Sequence, residues 1–155
     1  MSRDTDTTPE DRVRDLVEEI VDALDLDAEV EVEVEGGEIN VRVEGEELGA
    51  FIGRHGSTID AVQHLAYKVA GTGDAAGPRV NVDASGYRER RRSVLQRQAD
   101  EAALRVEQSG RPVALDAMSA IERKVVHEYL KDRGGVETWS EGQEPDRHLV
   151  VGPLD

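Results

Sequence analysis

The chain has 155 residues, 37% of them hydrophobic and 34% charged, with a formal net charge of −15 and no cysteine. That length holds one ordinary domain or two small ones and excludes a large multidomain enzyme; the missing cysteine excludes disulfides, cysteine-zinc sites, iron–sulfur clusters and thiol catalysis. The opening residues lack the apolar core of a signal peptide, and no apolar run approaches the ~20 residues of a membrane helix, so a cytoplasmic protein with no stable membrane insertion is expected.

An excess of carboxylates argues against nucleic acid, whose phosphates attract lysine and arginine, but the charge is unevenly placed. Residues 1–47 hold 18 acidic and 4 basic side chains, whereas residues 48–155 hold 16 and 15. Between residues 48 and 97 bases outnumber acids 8 to 4, and five of those bases fall between Arg88 and Arg97. A basic middle follows an acidic front.

Residues 1–9 are expected to form a disordered tail. Thr8-Pro9-Glu10-Asp11 then reads as a helix start, with a threonine N-cap, proline at the first helical position and acids in the first turn. Val13, Leu16, Val17, Ile20, Val21 and Leu24 fall on one helical stripe. The period changes to two where Ala28, Val30, Val32 and Val34 alternate with glutamates, and again beyond Gly36-Gly37 at Ile39, Val41 and Val43, which predicts a hairpin with one buried face. Leu48 to Ile52 forms a short apolar turn leading into Gly53-Arg54-His55-Gly56. Ser57-Thr58-Ile59-Asp60 supplies a capping box for a helix whose core face is Ile59, Val62, Leu65, Ala66 and Val69. Val80 and Val82 mark a third strand beyond a loop from Gly71 to Pro78.

A long helix is expected from Tyr87 to about Gln108, with Leu95, Ala99, Ala102 and Val106 inward and Ser109-Gly110 as its stop. Short strands at 112–115, 136–140 and 148–151 and a helix from Met118 to about Arg133 complete the chain. The expected architecture is α+β, with two small domains at 10–85 and 86–155 joined by the long helix.

The glycines of Gly53-Arg54-His55-Gly56 allow main-chain N–H groups to approach a phosphate, and the start of the following helix and Arg54 add positive charge. A glycine-rich turn between helices is the alternative reading of those four residues alone. Taken with the order of elements and with Ile52-Gly-x-x-Gly-x-Thr-Ile-Asp-Ala-Val-Gln63, the segment resembles the type II, prokaryotic KH domain over residues 10–84. The resemblance implies that Gly53, Arg54, His55 and Gly56 clamp the backbone of a single-stranded nucleic acid, with Ile52 and Ile59 flanking the clamp and an adjacent apolar groove receiving the bases. Arg88, Arg90, Arg91, Arg92 and Arg97 either extend a phosphate track or form a solubilising face.

Farther on, Arg123 and His127 stand four apart on one helical face, and Lys131 extends the row; from spacing this is either a solvated basic stripe or a phosphate contact. Glu122-Arg123-Lys124-Val125-Val126-His127 followed by Ser140-Glu-Gly-Gln-Glu-Pro-Asp-Arg147 resembles the R3H domain. Arg147 either joins that surface or pairs with Glu141 or Glu144. Phe51 and Tyr67 are expected in the core, leaving Trp139 and Tyr87 as stacking platforms.

A type II KH-like domain followed by an R3H domain resembles one bacterial family, the Jag or KhpB (SpoIIIJ-associated) proteins, over residues 10–152. Many members carry a further N-terminal domain; only a short tail precedes the first helix here, so roles that need that domain, association with a membrane insertase among them, are not expected. The resemblance implies a non-catalytic protein binding single-stranded RNA, with single-stranded DNA a further ligand of the R3H domain, acting as a post-transcriptional regulator or RNA chaperone. The alternative is a protein-interaction adaptor that pairs with a small KH-domain partner and acts in cell-envelope or division control. Among the motifs sought, there is no nucleophile elbow, phosphate-binding lysine loop or paired-histidine zinc motif; no metal, cofactor or catalytic residue is expected.

Overall fold

The computed structural model describes residues 7–71 and 77–155. Residues 1–6 of the expected tail and residues 72–76 of the expected loop lie outside the described residues. The chain divides into two compact units, Met1–Tyr87 and Arg88–Asp155, and the architecture is α+β.

In the first unit, α1 (Pro9–Ala23) opens as the sequence predicts. The Thr8 hydroxyl accepts from the Asp11 N–H, and the Asp11 carboxylate accepts from the Thr8 N–H, a reciprocal cap. Val13, Val17 and Val21 are buried, with Leu16 and Ile20 packed at the margin. β1 (Ala28–Glu35) and β2 (Glu38–Gly45) form the antiparallel hairpin, pairing Val30 with Val43 and Val32 with Val41. β3 (Val80–Ala84) adds in parallel on the far side of β2, placing Val80, Val82 and Ala84 beside Ile39, Val41 and Val43. Because β2 is central, its apolar face is fully buried, whereas the valines of edge strand β1 are only half-buried and Val34 is exposed.

Between β2 and β3 run α2 (Gly49–Ile52), a single 3₁₀ turn (Arg54–Gly56) and α3 (Ser57–Ala70). Phe51, Ile59, Val62, Ala66 and Ala70 enter the core; burying a side chain of the size of Ile59 or Phe51 contributes about 1.5–3 kcal/mol. Three expectations are corrected here. Leu65 is exposed, since at 100° per residue it falls outside the arc centred on Ile59, Val62 and Ala66, and Ala70 occupies the core position instead. Tyr67 is likewise exposed rather than core. Ser57 is already helical; the cap position belongs to Gly56 in the left-handed conformation, with no side-chain hydrogen bond, so the expected capping box is not made.

The second unit is built on α4 (Tyr87–Ser109) and α5 (Ala120–Leu130), with β4 (Val113–Ala114), β5 (Val136–Glu141) and β6 (His148–Pro153) in an antiparallel sheet of order β4-β6-β5. Leu95, Ala99, Ala102, Ala103 and Val106 of α4 share one core with Met118, Val126, Leu130, Leu149 and Val151. α5 is shorter than its apolar pattern suggests because Ser119 caps it, its hydroxyl accepting from the Glu122 N–H at 3.2 Å, so Met118 lies before the helix. The indole of Trp139 lies against Gly152, where any Cβ would collide with the ring. No helix among the described residues is long and apolar enough to cross a membrane, and no group of acidic or histidine side chains among them is arranged to hold a metal.

Candidate nucleic-acid interface

The chain bends sharply between α2 and α3. Gly53 (φ 75°, ψ 176°), His55 (φ 55°, ψ 27°) and Gly56 (φ 74°, ψ 15°) all take positive φ. A Cβ at Gly53 would run into the Thr58 hydroxyl and stand 2.8 Å from the Thr58 nitrogen, so a side chain is excluded by both conformation and space. At Gly56 a Cβ would stand 3.0 Å from the Tyr87 hydroxyl oxygen. Tyr87 is delivered there by the turn after β3, where the Ser85 N–H donates to Val43 O at 2.9 Å and the Ser85 hydroxyl bonds Gly45 O at 3.2 Å. Arg54 is exposed, His55 and Ile52 are half-buried, and Ile59 is wholly buried. Ile59 thus stands beside the loop from within the core. The first N–H groups of a helix lack intrahelical partners. Gly56 supplies no side-chain cap; the Ser57 N–H bonds Arg54 O, and the first turn of α3 carries one carboxylate, Asp60, at the positive end of the helix dipole.

The cations of the second unit are arranged differently. Arg123 is only 8% exposed. Its guanidinium donates to Met118 O at 2.6 Å, Arg147 O at 3.4 Å and the Glu144 carboxylate at 2.7 Å. The expected open row with His127 is thus not formed: Arg123 turns inward and ties the segment before α5 to the segment before β6. His127 is exposed, with its Nδ1 hydrogen-bonded to the Thr138 hydroxyl at 2.5 Å. It lines a cavity of about 330 Å³ together with Leu130, Lys131, Arg133, Thr138 and Leu154. Lys131 is paired with Glu128 at 2.9 Å, and that hydrogen bond raises the ammonium pKa and lowers that of the carboxyl. Arg91 clasps Glu122 with two bonds of 2.6 and 3.1 Å, while Arg88 is half-buried. Arg147 pairs with neither Glu141 nor Glu144; its guanidinium donates to Gly142 O at 2.7 Å, because Glu144 is held by Arg123.

Comparison with known proteins places both units. Residues 10–83 match the model of the KhpA/KhpB KH domain, and residues 93–153 match that of the R3H domain. An RNA-binding protein KhpB of Clostridium symbiosum is 33% identical over 146 residues, covering 93% of this chain and 66% of that protein. Its namesake in Streptococcus pneumoniae serotype 2 is 35% identical over 135 residues, 87% of this chain and 41% of that protein. The Bacillus subtilis protein of the same name is 28% identical over 134 residues, 85% and 64% respectively. The chain belongs to the KhpB family. It spans less than two thirds of the length of each of these three relatives.

Within this KhpB-family chain, two side chains hold α3, the helix after the KH loop, through partners that sequence reasoning missed. Gln63, on α3, accepts from the Val82 N–H at 2.9 Å and fastens the helix to β3. Arg12, on α1, reaches Val69 O at 2.8 Å, Ala70 O at 3.0 Å and Thr7 O at 2.7 Å, closing the C-terminal end of α3 with a cation where carbonyls are left over. Gln63 closes the KH motif in the sequence although its bond to β3 is not legible there, and the only sequence signal for Arg12 is a polar residue inside a helical pattern. Of the expected stacking platforms, Trp139 has its ring against Gly152 and its Nε1–H on Glu141 at 2.8 Å, and Tyr87 is packed on Gly56. Tyr129 is the exposed aromatic of α5, and its hydroxyl donates to both oxygens of Asp100 at 2.9 and 3.1 Å.

Proposed function

We propose that the chain binds single-stranded RNA without catalysing a reaction on it, closing the Gly53–Gly56 loop on the phosphate backbone. The observation that carries this reading is the loop itself: three positive-φ residues in four, an exposed Arg54, and a helix of 14 residues starting at Ser57 with no side-chain cap. A strand of phosphates approaching there meets backbone N–H groups, a helix dipole and a guanidinium at once, and carboxylates more than a screening length of about 8 Å away are damped at physiological salt. The name shared by the relatives, RNA-binding protein, supports RNA as the ligand. The role that follows is post-transcriptional, as a regulator of transcript stability, translation or processing, or as an RNA chaperone, in a bacterial cytoplasm.

The test is a titration of labelled single-stranded RNA against the wild-type chain and the Arg54→Asp/His55→Asp double variant. Aspartate tolerates the left-handed conformation of residue 55, so two negative charges enter the loop with no new backbone strain. Affinity falls by about tenfold or more and the melting temperature holds. Equal binding by both proteins would remove the loop from the mechanism.

A further inference from the structure

Three of the cations singled out from the sequence are already paired with carboxylates: Arg91 with Glu122, Arg123 with Glu144 and Lys131 with Glu128. Arg133 is likewise shared between Asp100 and Glu107. Among the described residues, Arg92 and Lys124 carry no ion pair, and both line the same open groove of about 440 Å³ between α4 and α5. Arg92 stands on the α4 rim with Gln96 one turn on, and Lys124 stands on the α5 rim. The floor is Ile121, Val125 and Tyr129, at i, i+4 and i+8 of α5 and therefore on one helical face. Ile121 is 57% exposed and Tyr129 is 40% exposed. The Tyr129 ring is held in place by its bonds to Asp100, and an aromatic already immobilised loses little conformational entropy on stacking. Glu128, the carboxylate at the edge of the groove, is committed to Lys131.

We propose that this groove is a second RNA contact, taking one nucleotide with its base on the Ile121, Val125 and Tyr129 floor and its phosphate between Arg92 and Lys124. The inference rests on the RNA reading above and gives the R3H domain a surface distinct from the Arg123 and His127 pair. Cations on both rims of an apolar floor suit a strand that alternates anionic phosphate with flat base, and the Gln96 amide offers both a donor and an acceptor to a base edge. A protein partner is the poorer fit. Three apolar side chains make a small floor against the roughly 800 Å² per partner that a stable protein interface buries.

The experiment titrates a labelled mixed-sequence single-stranded RNA with the full chain over a salt series, comparing wild type, Arg92→Gln/Lys124→Gln, Tyr129→Phe and Tyr129→Leu. The double variant weakens binding several-fold and lowers the log–log salt slope by about 0.7 for each phosphate that the protein no longer neutralises. Tyr129→Leu loses affinity, and Tyr129→Phe, which keeps the ring, retains most of it. Photo-crosslinking of wild type to thiouridine-substituted RNA marks the peptide containing Tyr129. Affinity and slope unaltered in Arg92→Gln/Lys124→Gln would overturn the proposal, as would capture of an acidic peptide by the groove with RNA affinity unchanged. A wild-type chain that binds no RNA defeats the broader reading, whereas loss of binding in the Arg54→Asp/His55→Asp variant with none in the groove variant defeats the groove alone.

Discussion

The KH loop and the basic row of the R3H domain differ in what holds their functional groups. At Gly53–Gly56 the backbone does the positioning: the glycines sit against Thr58 and Tyr87, and Arg54 projects from a bend that carboxylate pairing did not create. Along α5 the side chains hold one another, and each cation that does so is less available to a polyanion. Arg123 has surrendered its guanidinium to two carbonyls and Glu144, Arg91 to Glu122 and Lys131 to Glu128. A count of basic residues therefore measures capacity, and the fold decides availability.

The sharpest way to break that comparison is to remove Arg123. If it works as an internal tie, Arg123→Met, which keeps the length of the side chain, leaves Met118 O without its guanidinium donor and Arg147 O with only the Met118 N–H, in a site that is mostly closed to water. The expected cost is about 2–3 kcal/mol, seen as a lower melting temperature for the R3H domain. Glu144→Gln costs less, because its carboxylate is 59% exposed and water replaces the missing pairing. A melting curve for Arg123→Met that overlays wild type, together with a large loss of RNA affinity, would return Arg123 to the phosphate surface.

The loop side of the comparison is tested at Gly53. Gly53→Ala places a Cβ against Thr58 in a conformation that only glycine adopts readily, at a cost of about 1–3 kcal/mol. Thr58→Ala removes the hydroxyl, the atom nearest that Cβ, while the Thr58 Cβ and main-chain nitrogen at 2.8 Å remain. The double variant Gly53→Ala/Thr58→Ala therefore recovers part of the stability that Gly53→Ala removes, but not the part due to φ. Full recovery would show that crowding alone, and not the backbone conformation, fixes glycine at this position.

How far the molecule was legible in its sequence follows the same division. Elements were legible where a period repeats: the α1 stripe up to Val21, the Val/Glu alternation of β1 and the alanine-rich inner face of α4 stand where the pattern puts them, whereas Leu24 falls at the C-cap of α1 and is exposed. The Gly-x-x-Gly loop was legible because glycine states a backbone requirement directly. The partners of long charged side chains were not, since Arg123 meets Glu144 across 21 positions, and Arg12 meets Val69 and Ala70 across 57 and 58. The capping box at Ser57 failed for a related reason: Gly56 took the cap position through a left-handed turn, which a four-residue pattern does not encode.

The smallest expected effect lies at the reciprocal cap of α1, where a local pattern did predict its hydrogen bonds. The Asp11 carboxyl is held below the usual carboxylate range, first by the Thr8 hydroxyl and main-chain hydrogen bonds and then by Arg14. A carboxyl whose pKa is depressed on folding contributes stability at pH values above its unfolded pKa, and that contribution disappears as the pH falls through the folded pKa. Asp11→Asn should therefore lower the melting temperature at neutral pH and converge on wild type in acid. Thr8→Ala removes the hydroxyl as well, at a cost of about 1 kcal/mol, and its deficit has two parts: loss of the main-chain bond accepted by the hydroxyl, which persists in acid, and loss of support for the ionised Asp11, which does not. Melting curves of the two variants from neutral pH into acid separate these parts. If the Asp11→Asn deficit were constant across that range, the aspartate would be acting as a hydrogen-bonding group of fixed charge state, and the electrostatic share of the cap would be nil.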